Sequence, residues 1–135
     1  MNLDPELVHK VKELKLEFKD KPQAELLIRI PNTNHDINFE VETVTSEFTS
    51  LCPLNLYQPD YATISIKYKP DAWLVELKSL KFYTTSFRMC PIFHEEVPAT
   101  ILRDLVNLLQ PKQIEITGYF TIRGGIKTTV RAIYP

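Results

Sequence analysis

Cys52 and Asp60 are separated by the segment PLNLYQP. A cysteine becomes a nucleophile when a base or a positive neighbour brings its thiol below the usual pKa of about 8.5. Asp60 would accept the proton if the intervening segment folds back, and His94 would supply charge. The ordinary alternative, a buried cysteine beside a turn aspartate, fits the spacing equally well. Cys52 and Cys90 are the only cysteines, too few for a disulfide framework. Each thiol must therefore serve packing, ligation or chemistry.

A second concentration of chemistry lies in ELKSLKFYTTSFRMCPIFHEE, residues 76–96. Lys78 and Lys81 are three apart and share one helical face, with Glu76 close by. An isolated pair at this spacing is ordinarily a solvated helix surface. Its functional alternative is a phosphate clamp, with the guanidinium of Arg123 as a third donor. Arg123 opens an Arg-Gly-Gly turn whose glycines would let backbone N–H groups approach an anion. Glu95 could accept two parallel hydrogen bonds from the N–H and amino edge of a guanine-like base, with Phe93 stacked on it. Against this, His94-Glu95-Glu96 also reads as acids at the positive end of a helix dipole. A zinc site built from Cys52, Cys90 and His94 is a further alternative. The chain lacks the tighter Cys-x-x-His spacing such a site favours, and zinc leaves Lys78 and Lys81 unexplained, so no metal is expected.

These residues need elements to hold them. Leu3, Leu7, Val8, Val11, Leu14, Leu16 and Phe18 run near helical spacing behind Asp4-Pro5, which predicts a short helix or arm within residues 1–25. Leu26 to Ile30 is a brief extended piece before the Pro31-Asn32 turn. Residues 37–44 and 62–69 alternate apolar and polar, predicting two half-buried strands. Between them, residues 48–60 contain two prolines and no sustained period, which predicts a loop carrying Cys52. Apolar positions 73, 74, 77, 80, 83 and 87 predict a helix over 73–89. Ile101, Leu102, Leu105, Leu108 and Leu109 predict a second, from about 95 or 98 to 109. Strands are expected over 114–120 and 126–133, joined by the Arg-Gly-Gly turn.

That order, two strands, two helices, two strands, implies an α+β fold: an antiparallel four-stranded sheet with two helices on one face. Its edges are open, and a ring of subunits with continuous sheets would close them. At 135 residues the chain fits a single domain, 1–135, with enough core to fold without staples. A net charge of −1 argues against partners recruited by bulk electrostatics, so no direct nucleic-acid partner is expected. No segment approaches the apolar length of a membrane span or a leader, which predicts a cytoplasmic protein.

Taken together, the landmarks resemble one family. ELKSLKFY, SLCP at 50–53, QPD at 58–60, SFR at 86–88, FHEE at 93–96 and FTIRGG at 120–125 are similar, in the same order, to those of the NADPH-dependent 7-cyano-7-deazaguanine reductases of queuosine biosynthesis, in their single-module form. The segment between Cys52 and Asp60 is one residue longer than that family's PxTGQP. The resemblance implies a tunnelling fold and reduction of a nitrile to an aminomethyl group through a covalent cysteine thioimide, consuming two NADPH. It implies Cys52 as nucleophile, with Asp60 and His94 moving protons. Glu95, Phe93 and Glu76 would bind the deazaguanine, and Lys78, Lys81 and Arg123 the NADPH phosphates. It also implies a homodecamer of two pentameric rings. Two relatives of the same superfamily are the competing readings: an archaeosine-forming amidinotransferase acting on the same nitrile, which lacks the ELKSLKFY helix, and a zinc-dependent GTP cyclohydrolase-like enzyme.

Overall fold

The computed structural model describes residues 3–135. Helix α1, Pro5–Lys12, starts where the sequence signals it: Pro5 occupies the first turn and the Asp4 side chain accepts a hydrogen bond from the Glu6 N–H at 3.0 Å. None of its residues is buried.

Four long strands form one antiparallel sheet. These are β2 (Val41–Cys52), β3 (Asn55–Lys69), β5 (Gln113–Phe120) and β6 (Thr129–Tyr134), in the order β2-β3-β5-β6. Two short strands, β1 (Arg29–Pro31) and β4 (Trp73–Val75), pair separately. The helices are α2 (Leu77–Thr85), followed by a single 3-10 turn over Ser86–Met89, and α3 (Glu96–Leu109). The inward residues of the sheet, among them Phe48, Ile64, Ile66, Tyr68, Ile114 and Ile116, pack on Leu80, Tyr83, Phe87, Ile101, Leu105 and Leu109 from the helices. This single apolar layer between sheet and helices is what makes the fold.

Three expectations need correction. Residues 48–60 are not a loop: β2 runs on to Cys52, β3 begins at Asn55, and only Pro53-Leu54 turn between them. The prolines do not prevent this, because Pro53 lies in the turn and Pro59 lies beyond the end of β5, where its missing N–H costs no ladder bond on that side. Residues 37–40 lie outside the strand, which starts at Val41. Trp73–Val75 are strand rather than helix, and the helix begins only after Glu76, whose carboxylate accepts from the Lys78 and Ser79 N–H groups at 2.9 and 2.7 Å. A side-chain cap at Glu76 sets that boundary, which spacing alone could not.

Candidate active site

The hairpin β2–β3 holds the two leading residues. Ser50 pairs directly with Asp60 across the ladder, and Leu51 with Pro59. The next pair is Cys52 with Asn55, so Leu56, Tyr57 and Gln58 are left without partners in a bulge. The pairs Ser50–Asp60 and Leu51–Pro59 hold their register next to this bulge, and a second irregularity lies between Thr45 and Phe48. Side chains alternate along a strand, so Cys52 shares the face of Phe48 and Ser50, which are buried. Cys52 itself is half-buried.

His94 reaches this hairpin through backbone pairing far from it in sequence. The Leu51 N–H donates to the Cys90 carbonyl at 3.0 Å, and the Ile92 N–H donates to the Leu51 carbonyl at 3.1 Å. This short parallel bridge lays residues 90–92 beside β2, and His94 follows two residues later. Its Nε2 stands 3.4 Å from Asp60 Oδ2, and its ring stacks on Phe120 at a centroid distance of 4.0 Å.

Asp60 is only 5% exposed and has three polar neighbours. Besides His94, Arg123 Nε lies 3.3 Å from its Oδ1, and Gln58 Nε2 lies 3.4 Å from the same oxygen. Arg123 also donates to the Pro59 carbonyl. The tight turn that delivers it has Gly124 and Gly125 at φ of 56° and 77°, left-handed values that suit glycine. Among the described residues the Arg123 side chain meets Asp60 and the Pro59 carbonyl, while its backbone N–H and carbonyl pair with Ile126.

The Lys78 and Lys81 ammonium groups lie 5.5 and 5.4 Å from the centroid of the Phe82 ring. Lys78 Nζ also donates to the Val11 carbonyl at the end of α1, at 3.1 Å. Helical spacing does not signal this second partner, which lies 67 residues away in the chain. Glu76 spends one lone pair of each carboxylate oxygen on the α2 cap. Glu95 begins α3 without a side-chain capping bond, and Phe93 is 46% exposed, so both remain open to a ligand. Cys90 is remote in character from Cys52: buried, its sulfur near the carbonyls of Lys19 and Ser86 at 3.7 and 3.5 Å. Burial, and then the charge of Asp20, push its thiol up to about 11. Among the described residues no three His, Cys, Asp or Glu side chains gather as a metal site would require.

The cluster can therefore present a sulfur and a carboxylate on one hairpin, an imidazole brought against that carboxylate from the segment before α3, and a pair of ammonium groups on α2. A family model described as QueF-like protein matches residues 59–135. Curated NADPH-dependent 7-cyano-7-deazaguanine reductases are similar over most of the chain. That of Thermomicrobium roseum is 50% identical over 84% of this chain and 88% of its own. That of Caulobacter vibrioides is 44% identical over 85% and 76%, and that of Bacteroides fragilis 46% over 90% and 76%. The crystal structure of an apo archaeosine synthase, QueF-Like, superposes with a TM-score of 0.61 at 22% identity, covering 71% of this chain and 91% of that one; this shows the shared tunnelling fold alone. Since the agreement in sequence spans hairpin, helices and turn alike, the chain belongs to the QueF-like family, with the NADPH-dependent 7-cyano-7-deazaguanine reductases.

Proposed function

We propose that this protein reduces the nitrile of 7-cyano-7-deazaguanine to an aminomethyl group with NADPH, a cytoplasmic step toward queuosine. Membership of the family supports the reaction. The observation that carries it in this chain is Asp60, held beneath the surface between His94 and Arg123 on the hairpin that bears Cys52.

Cys52 Sγ adds to the nitrile carbon: a C–S bond forms, one C≡N π bond breaks, and Asp60 delivers a proton to the nitrogen. The unreactive nitrile becomes a C=N able to accept hydride. His94, 3.4 Å from Asp60, exchanges protons with it, so that two are delivered over the full reduction and the thiol is regenerated when the C–S bond breaks. Glu95 takes the N–H and amino edge of the base, Phe93 stacks on it, and Glu76 offers its remaining lone pairs. Bound NADPH supplies a hydride in each of two rounds. Lys78 and Lys81 suit its phosphates because two ammonium groups share the Phe82 ring on one patch. Arg123, with 42% of its side chain exposed, has donors beyond those spent on Asp60 and Pro59.

A homodecamer of two stacked pentamers is part of this reading. Strands β2 and β6 are the outer members of the sheet, and Tyr57 beside the site is 97% exposed, which suits a neighbouring subunit. Light scattering on the purified protein tests it.

The decisive test mixes protein with 7-cyano-7-deazaguanine alone and weighs it intact. A covalent gain equal to the nitrile, absent in Cys52→Ala, together with NADPH oxidation that needs no tRNA, is expected. Wild-type protein that forms no adduct and oxidises no NADPH would overturn the reading.

A further inference from the structure

His94 is aimed by very little. Among the described residues its imidazole has one polar partner, Asp60 at 3.4 Å, and it sits on the segment between the Leu51 bridge and α3. What fixes its plane is an aromatic face: the His94 and Phe120 rings are 4.0 Å apart and within 10° of parallel. Phe120 closes β5, opposite Ala62 of β3, and is 3% exposed.

The position of that ring depends in turn on Gly118. A Cβ placed on Gly118 would stand 2.8 Å from Phe120 Cε2 and 3.3 Å from its Cζ, with Pro98 Cγ also at 3.3 Å. The first distance is closer than real contacts allow. Gly118 is not among the residues of positive φ, so backbone conformation does not call for glycine here; space does. The Phe120 ring lies back along its own strand into the space of the missing side chain, and it is this ring that stacks on the imidazole.

We propose that Gly118 and Phe120 are positioning residues for His94: the glycine makes room for the ring, and the ring orients the imidazole so that Nε2 meets Asp60. The inference rests on the proton-transfer role given to His94 above. Misplacing a reacting group by about 1 Å can cost on the order of a hundredfold in rate, so a change that merely tilts Phe120 should register.

Gly118→Ala tilts the ring without removing it, Phe120→Leu removes it, and Phe120→Tyr restores it. The full-length proteins are compared by NMR of the His94 ring protons, identified by their loss in His94→Ala, and by the rate of adduct formation with 7-cyano-7-deazaguanine in the absence of NADPH. In the wild type a stacked ring shifts those protons upfield. Phe120→Leu should abolish the shift, Gly118→Ala should alter it, and both should slow adduct formation about tenfold or more. Phe120→Tyr should keep both values, and the NADPH KM should stay unchanged throughout. If Phe120→Leu does not fold, Gly118→Ala still decides. Wild-type shifts and rates in Gly118→Ala and Phe120→Leu, with a slow His94→Ala, would overturn the inference and leave the reading of His94 standing. An unimpaired His94→Ala would instead overturn the role of the histidine, and the NMR shifts would still report whether the stack orients it.

Discussion

Arg123 Nε stands 3.3 Å from Asp60 Oδ1, joining a turn after β5 to the middle of the β2–β3 hairpin. The contact gives Asp60 a permanent positive neighbour on the side away from His94. Arg123→Ala should therefore do more than weaken cofactor binding. It should slow addition of Cys52 to the nitrile about tenfold, read by mass spectrometry of the adduct without NADPH. Arg123→Lys should recover little of this, since an ammonium cannot meet both Asp60 and the Pro59 carbonyl with the same planar fork. A wild-type rate of addition in Arg123→Ala would confine this residue to the cofactor.

Asp60→Asn keeps the shape of the carboxylate but cannot carry a proton. Loss of a positioned general acid–base typically costs 10²–10⁴-fold, and NADPH turnover should fall by about that much. Thermal unfolding should move little, because the amide can still accept from Arg123. Turnover within about threefold of wild type would take Asp60 out of the mechanism.

How far the sequence carried these assignments depends on where each contact is encoded. The Arg-Gly-Gly turn and the α3 stripe were legible because both are local: left-handed glycines and apolar spacing report themselves. The hairpin at Cys52 is hidden from pattern because Pro53 and Pro59 break periodicity, although neither breaks the ladder. The meeting of His94 with Asp60 was invisible at the level of spacing, since it is made by residues 90–92 pairing with Leu51. The Phe120 stack is tertiary for the same reason.

The two cysteines should react very differently. Cys90 is buried with its thiol near 11, so at pH 8 it is almost wholly protonated as well as shielded. A maleimide should add once to the native protein and once to Cys90→Ala, and not at all to Cys52→Ala within the same time. Labelling of Cys52→Ala at a rate like that of wild type would show that Cys90 is reachable.

Lys78→Ala and Lys81→Ala should each raise the NADPH KM about three- to tenfold while sparing adduct formation, which needs no cofactor. Lys78 has a second tie, to the Val11 carbonyl. Helix α1 buries none of its residues, so loosening it should not unfold the domain. Loss of adduct formation in either variant would show that these lysines serve the hairpin rather than the cofactor.

Asp104 supplies the clearest dependence of stability on pH. The Tyr83 hydroxyl donates to its Oδ2 at 2.5 Å, yet burial outweighs that bond and raises the carboxyl above its usual range. A native state with a raised pKa binds the proton more tightly than the unfolded chain does. Its contribution to stability is therefore complete below the unfolded value of about 3.9 and is lost as pH rises through the raised one. Asp104→Asn keeps an acceptor for Tyr83 and has no proton to lose. Its urea midpoint should exceed that of wild type at pH 7, and the advantage should shrink toward pH 4. A variant less stable than wild type at pH 7 would mean that the charge-assisted bond from Tyr83, and not burial, governs this carboxyl.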